Sequence, residues 1–275
     1  MSDASSGTPG KERIGIIAGS GQFPFLVARG AAERGLDAVI CGILGNADPA
    51  LAGVAGDFVM LPIGQLNKLI KFFKSRDVGR LCMAGAVSKV RALDIRPDFR
   101  AAGLILKLAG KGDDAVLRAL VDVLQSEGFD VVRPDALVPD LRCAPGVLGK
   151  IQPDAYTRKD TEFGMRIAGN IGAMDIGQCV AVRRGIVVAV EAIEGTDAAL
   201  IRGGELGGAG CTAVKVLKPG QDTRMDLPSI GTGTLEIMAR YKYACLAFEA
   251  GGTLFFDRKA ALALADAAGI AVVAF

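Results

Sequence analysis

The feature that most constrains this chain is an alternation repeated through its first half. Short runs that are apolar nearly throughout, "RIGIIA" (13–18), "DAVICGIL" (37–44), "DFVML" (57–61) and "GRLCMAG" (79–85), are separated by segments with helical spacing. A run apolar on both sides of the pleat is a strand covered on both faces. Helices interposed between such strands are the crossovers of a parallel sheet. Phe23 to Arg34 has helical spacing, with Pro24 tolerated in a first turn. Residues 64–76 place Leu66, Leu69, Ile70 and Phe73 on one face and Lys68, Lys71 and Lys74 mostly opposite. That lysine face reads as a solvated surface, with anionic lipid as the alternative partner. Residues 99–110 and 112–128 predict two further helices.

The second half has a different rhythm. A helix is expected near 159–174, and "QCVAVRRGIVVAVEAI" (178–193) reads as two strands joined at Arg184-Gly185. Further strands are expected at 211–218 and 243–250, then a helix at 258–268 and a last strand, "IAVVAF". Between the halves, Pro134, Pro139, Pro145 and Pro153 interrupt any periodicity. The predicted architecture is two α/β domains. Residues 13–133 form a Rossmann-like parallel sheet, 134–153 a linker and 154–275 a mixed-sheet domain, while 1–12 read as a disordered tail.

Composition narrows the function. Mean hydropathy is +0.37, yet no run of 18 apolar residues lacks a charge or polar break; the richest stretch is broken by Asp266. No basic-then-apolar signal pattern opens the chain, so a cytoplasmic protein is expected. Basic and acidic residues number 32 and 30, a balance with no bulk attraction for nucleic acid. Six scattered cysteines without a C-x-x-C pair read as buried free thiols. There is no histidine. That removes Ser-His-Asp and Cys-His catalysis and every imidazole metal site, and leaves hard-oxygen sites of the Mg²⁺ type open.

Several segments carry candidate chemistry. "IAGSGQFP" (17–24) is a strand, a glycine turn and a helix start, and backbone amides of Gly19, Ser20 and Gly21 suit phosphate. Pro24 stands where the dinucleotide pattern G-x-G-x-x-G needs its third glycine, so a mononucleotide or sugar nucleotide fits better than NAD. Ser88 and Lys89 in "GAVSKV" follow a buried strand, at the sheet edge where α/β folds bind ligands. Asp113 and Asp114 begin a helix and read as caps. In "EAIEGTDAALIR" (191–202), Thr196 and Asp197 are candidate caps or ligand groups, and Glu194 a candidate for a metal or a sugar hydroxyl.

The densest segment is "KPGQDTRMDLPSIG" (218–231). Lys218, Asp222, Arg224 and Asp226 fall within nine residues, braced by Pro219 and Pro228. A solvated loop is the plain explanation. Acids for Mg²⁺ or water, with cations for phosphate oxygens, are also what phosphoryl chemistry requires.

Taken together, "IAGSGQFP", "GAVSK", "GDDAVL", "DIGQCVAV", "VVAVEAIEGTDAALIR" and "VKVLKPGQDTRMDLPSIGTGT" resemble the LpxI-type UDP-2,3-diacylglucosamine pyrophosphatases, from about residue 13 to the C-terminus. The resemblance implies Mg²⁺-dependent hydrolysis of a lipid-linked UDP-sugar to UMP and 2,3-diacylglucosamine 1-phosphate, in lipid A synthesis. It implies a substrate held between two domains, at the inner-membrane surface. That surface and a second copy of the chain are the other expected partners. By motif position the family's essential aspartate falls on Asp226, with Asp222 the second choice; these two are also the expected metal ligands. Lys218 and Arg224 complete the expected catalytic set. Gly19, Ser20, Gly21, Ser88, Lys89, Glu194, Thr196, Asp197, Gln221, Thr232 and Thr234 are the expected substrate contacts. A pyrophosphatase for a soluble sugar nucleotide and a non-catalytic lipid or nucleotide-sugar binder are the alternatives.

Overall fold

A computed structural model describes residues 11–87, 97–108, 113–224 and 227–275. The predicted sites Ser88, Lys89 and Asp226 lie outside the described residues, as does most of the predicted tail. The described chain divides into two compact units. One runs through Val138 and includes Arg224; the other comprises Pro139–Thr223 and Leu227–Phe275.

The first unit is built on a five-stranded sheet: β1 (Arg13–Ala18), β2 (Asp37–Ile43), β3 (Asp57–Leu61), β4 (Arg80–Ala84) and β5 (Asp130–Val131). The order is β3-β2-β1-β4-β5 and every pairing is parallel, as the continuous apolar runs predict. Helix α1 (Phe23–Glu33) packs on one face, where Val27, Ala28 and Ala31 meet Ile14, Ile16 and Ile40. Helices α2 (Leu66–Lys74), α3 (Phe99–Leu108) and α4 (Asp113–Ser126) cover the other; Phe73, Val121 and Leu124 pack there against Val39, Leu81 and Val131. The lysine face of α2 is exposed as expected, and Lys74 pairs with Glu127 at 2.5 Å.

The Pro-rich stretch carries its own structure. Pro134–Leu137 form a 3-10 turn whose Leu137 carbonyl accepts from Arg34 Nη1 at 2.8 Å. Further on, β6 (Gly146–Val147) pairs antiparallel with the last strand of the second unit.

That second unit holds a six-stranded mixed sheet, with β7 (Cys179–Arg183), β8 (Ile186–Val190), β9 (Thr212–Lys215), β11 (Cys245–Phe248) and β13 (Ala271–Ala274) beside β6. The order is β6-β13-β11-β9-β7-β8; β9, β11 and β13 are mutually parallel, and β7 runs against both β8 and β9. Arg184 and Gly185 turn the β7–β8 hairpin with φ of 49° and 78°, the two left-handed residues a tight hairpin demands. Helix α5 (Ala155–Ala173) lies on one face. It starts earlier than its periodicity predicts because the Asp154 carboxylate accepts from Thr157 N–H at 2.7 Å and caps it. The other face carries α6 (Thr196–Gly207), α7 (Thr232–Arg240) and α8 (Arg258–Ala268) over a core that includes Leu200, Leu235, Tyr243 and Phe255. β10 (Ser229–Ile230), just before α7, pairs in parallel with β12 (Leu254–Phe255), just before α8.

Candidate active site

In the first unit the glycine turn sits at the carboxyl ends of β1 and β4. Gly19 N–H donates to Ala84 O at 2.8 Å, Ser20 N–H to Ala86 O at 2.7 Å, and Ser20 Oγ to the same oxygen at 2.9 Å. Ala86 N–H returns a bond to Ser20 O. The amides of Gly19 and Ser20, expected to face a phosphate, are therefore paired within the fold. The approach is close: a Cβ on Gly19 would lie 2.4 Å from Ala86 O, and one on Gly85 2.5 Å from Ser20 O. Gly21, at φ +90°, leads exposed into the start of α1.

In the second unit, β8 runs parallel to β9, so the carboxyl ends of β8, β9, β11 and β13 share one edge. Such edges are where open α/β sheets carry ligands. Lys215 closes β9 at this edge, and Glu191 follows β8 directly. Lys215 is opposite Cys179 and Phe248 in register. Its side chain accordingly rises on the α6 side of the sheet, and it is only 5% exposed. Nζ donates to Thr196 Oγ1 at 3.1 Å and to Ser229 O at 2.8 Å. Thr196 Oγ1 in turn donates to Glu191 Oε1 at 2.9 Å, while Glu191 Oε2 accepts from Gln178 N–H at 3.3 Å. Glu191 is 7% exposed. Nearby, burial pushes the Cys179 thiol up to about 12, with Lys215 drawing it down and Glu191 and Asp197 adding to the rise.

The loop after β9 begins with a tight turn. Gln221 N–H donates to Lys218 O at 3.1 Å, Lys218 N–H to Gln221 Oε1 at 3.3 Å, and Gly220 takes φ 77° between them. Leu217 N–H donates to Glu249 Oε2 at 2.9 Å. The Lys218 ammonium pairs with Asp175 at 2.8 Å. The predicted Lys218 and Gln221 thus belong to one turn. Asp222 and Arg224 are half-buried and each is engaged by other groups.

Thr196 does not cap α6; that position belongs to Gly195 at φ 84°, without a side-chain bond. Asp197 stands exposed in the helix's first turn, where the dipole favours an acid. Glu194 turns to Arg202 Nη2 at 2.5 Å and accepts from Ala192 N–H at 3.1 Å. Its own backbone amide and the Arg202 guanidinium hold its carboxyl below the usual range. Thr232 and Thr234 open α7 after Gly231, and this helix too lacks a side-chain cap. Exposed Met174, Ile176 and Ile193 sit in two adjoining loops. The loops touch where Gly177 packs against the Glu191 carbonyl, closely enough that a Cβ would come within 2.0 Å of it.

Sequence reasoning did not select Lys215 or Glu191 as site residues. The available signal was a charge at the end of an otherwise apolar strand, "CTAVK" and "IVVAVE". Among the described residues no group of three acidic, cysteine or histidine side chains gathers as a metal cage. Magnesium needs none, since it takes one or two carboxylates and completes its shell with phosphate oxygens and water. The donors on this edge are carboxylates and hydroxyls, the hard-oxygen set that suits it. Among the described residues no helix is long and apolar enough to cross a membrane.

Fold and site define a two-unit α/β protein with a buried acid–hydroxyl–ammonium cluster and two uncapped helix starts at one edge of its mixed sheet. The chain belongs to the LpxI family: residues 13–141 match the LpxI N-terminal domain and 144–273 the LpxI C-terminal domain. It is 36% identical over 273 residues to the UDP-2,3-diacylglucosamine pyrophosphatase LpxI of Caulobacter vibrioides, spanning 95% of this chain and 96% of that protein. The family expected from the motifs is therefore the one found. Likeness to solved structures is faint. An ADP complex of purK, the N5-carboxyaminoimidazole ribonucleotide synthetase, is 14% identical and covers 63% of this chain and 32% of its own, with a TM-score of 0.29. The synthetase of that name from Thermotoga maritima is 13% identical, with coverages of 66% and 42% and a TM-score of 0.26. At these scores neither bears on this chain.

Proposed function

We propose that this chain hydrolyses the pyrophosphate of UDP-2,3-diacylglucosamine. The observation that carries the reading is its end-to-end likeness to the Caulobacter pyrophosphatase, spanning both domains at 36% identity. Water adds to one phosphorus, the P–O–P bridge breaks and the proton from water is released, giving UMP and 2,3-diacylglucosamine 1-phosphate. Asp226 orients the attacking water and, with Asp222, would hold Mg²⁺, which when bound would supply positive charge against the anionic pyrophosphate. Lys218 and Arg224 supply further positive charge where it is needed as the bond breaks. Thr232 and Thr234 and the first turns of α6 and α7 offer N–H and O–H donors to phosphate. Met174, Ile176 and Ile193 give acyl chains an apolar rim, each buried CH₂ contributing about 0.8 kcal/mol. A substrate with acyl chains brings the protein to a membrane surface.

Replacing Asp226 by alanine is expected to leave far-UV circular dichroism unchanged and to abolish UMP release; wild-type turnover by the variant removes Asp226 from the mechanism. The assay compares UDP-2,3-diacylglucosamine with UDP-GlcNAc, each with Mg²⁺ and with EDTA. Equal turnover of the two substrates would assign a soluble sugar nucleotide instead. Binding of the product without Mg²⁺-dependent hydrolysis of the substrate would make the chain a binder.

A further inference from the structure

A lysine and a glutamate both more than nine-tenths buried call for an explanation beyond stability. Apolar residues of similar volume often serve a core as well as a buried ion pair. Here the pair is not in direct contact but bridged by the Thr196 hydroxyl, which accepts from Lys215 and donates to Glu191. The same ammonium holds the carbonyl of Ser229, three residues before Thr232 and three after Asp226 in the chain. Four segments meet in this network: the ends of β8 and β9, the first residue of α6, and the first residue of β10, which leads into α7. Gln178 N–H, one residue before β7, anchors Glu191 from the far side. Both helices begin at a glycine without a side-chain cap, so no capping side chain fixes where their first turns point.

We propose that Lys215, acting through Thr196 and Glu191, is a positioning residue that sets the first turns of α6 and of α7 in register with each other. Two helix starts held in this way keep their free first-turn amides in a fixed relative position. Its consequence for turnover rests on the pyrophosphatase reading; its consequence for the two helix starts does not.

The test compares the wild type with Lys215→Met, which keeps the bulk of the stem and removes both bonds. A second variant, Lys215→Met/Glu191→Gln, also removes the carboxylate that the first leaves buried and uncompensated. Amide hydrogen exchange is followed in 192–199 and 229–235, with α8 as the internal reference, and kcat and KM are measured on UDP-2,3-diacylglucosamine. In at least the double variant, exchange in both segments is expected to quicken about tenfold over α8. There kcat falls about 10- to 100-fold with KM within about threefold. Unchanged exchange and unchanged kcat in the double variant overturn the proposal. So does a loss of activity that merely follows the folded fraction, or one that appears in KM alone. A wild type that hydrolyses none of the substrate overturns the pyrophosphatase reading and leaves the exchange measurement to decide the positioning role.

Discussion

Asp160 on α5 is 3% exposed, and its two carboxylate oxygens accept the amides of Arg184 and Gly185, each at 2.7 Å. These are the two residues that turn the β7–β8 hairpin through positive φ. The carboxylate satisfies donors that the turn itself leaves unpaired. Asp160→Ala orphans both, and the expected loss is about 2–4 kcal/mol in urea unfolding, because bonds to a charged acceptor are the stronger kind. The hairpin was legible from Arg184-Gly185 between two apolar runs. Its acceptor was not, since no local pattern links a helix residue to a turn 24 residues later. The same holds at the site. Lys218 and Gln221 were readable as a proline-flanked polar loop, whereas the Lys215–Thr196–Glu191 chain joins positions whose distance in sequence carries no signal.

Among the elements, α5 shows how close packing overrides local preference. Gly164 faces Val214 of β9, and a Cβ there would lie 2.6 Å from Val214 Cγ2 and 3.1 Å from its Cβ. Alanine is worth about 1 kcal/mol more than glycine in a helix interior. Overpacking against a buried strand costs about 1–3 kcal/mol, and at this separation the clash wins. Gly164→Ala is therefore expected to lower the thermal midpoint, and a midpoint above wild type would show that α5 shifts freely on the sheet. Long elements with a clear period were readable: β1 to β4, α1, α2, α8 and the β7–β8 hairpin. The two-residue strands β5, β6, β10 and β12 were not. Two residues show no alternation, and pairing with a distant strand alone makes them strands.

Across the whole molecule, charge leaves a pH signature. Lys74 and Arg100 hold the Glu127 carboxyl below its ordinary 4.5, the Thr157 amide and hydroxyl hold Asp154 below 3.8, and its own amide and Arg202 do so for Glu194. A carboxyl whose folded pKa is depressed stabilises the fold fully above the unfolded value and loses that contribution as pH falls through the folded one. Stability is therefore expected to be level near neutrality and to decline below about pH 4.5. Salt should make the decline shallower, since Glu127 and Glu194 owe part of it to cations at the protein surface. Urea midpoints measured from pH 7 to pH 3 check this; a midpoint that rises on acidification contradicts it.

The amino-acid sequence by itself determined what local physics can encode. Apolar runs and 3.6-residue spacing specified a parallel sheet followed by a mixed one, the lack of histidine excluded imidazole chemistry, and dense short motifs marked the family. Only the tertiary structure decided which polar groups meet. Gly19 and Ser20 gave their amides to the end of β4 and the residues just after it, Glu194 turned to Arg202, and a buried lysine joined the start of α6 to Ser229 of β10. Burial makes an unpaired polar group costly, so partners are chosen by whatever the folded chain brings within 3 Å, and that distance is written in no single segment.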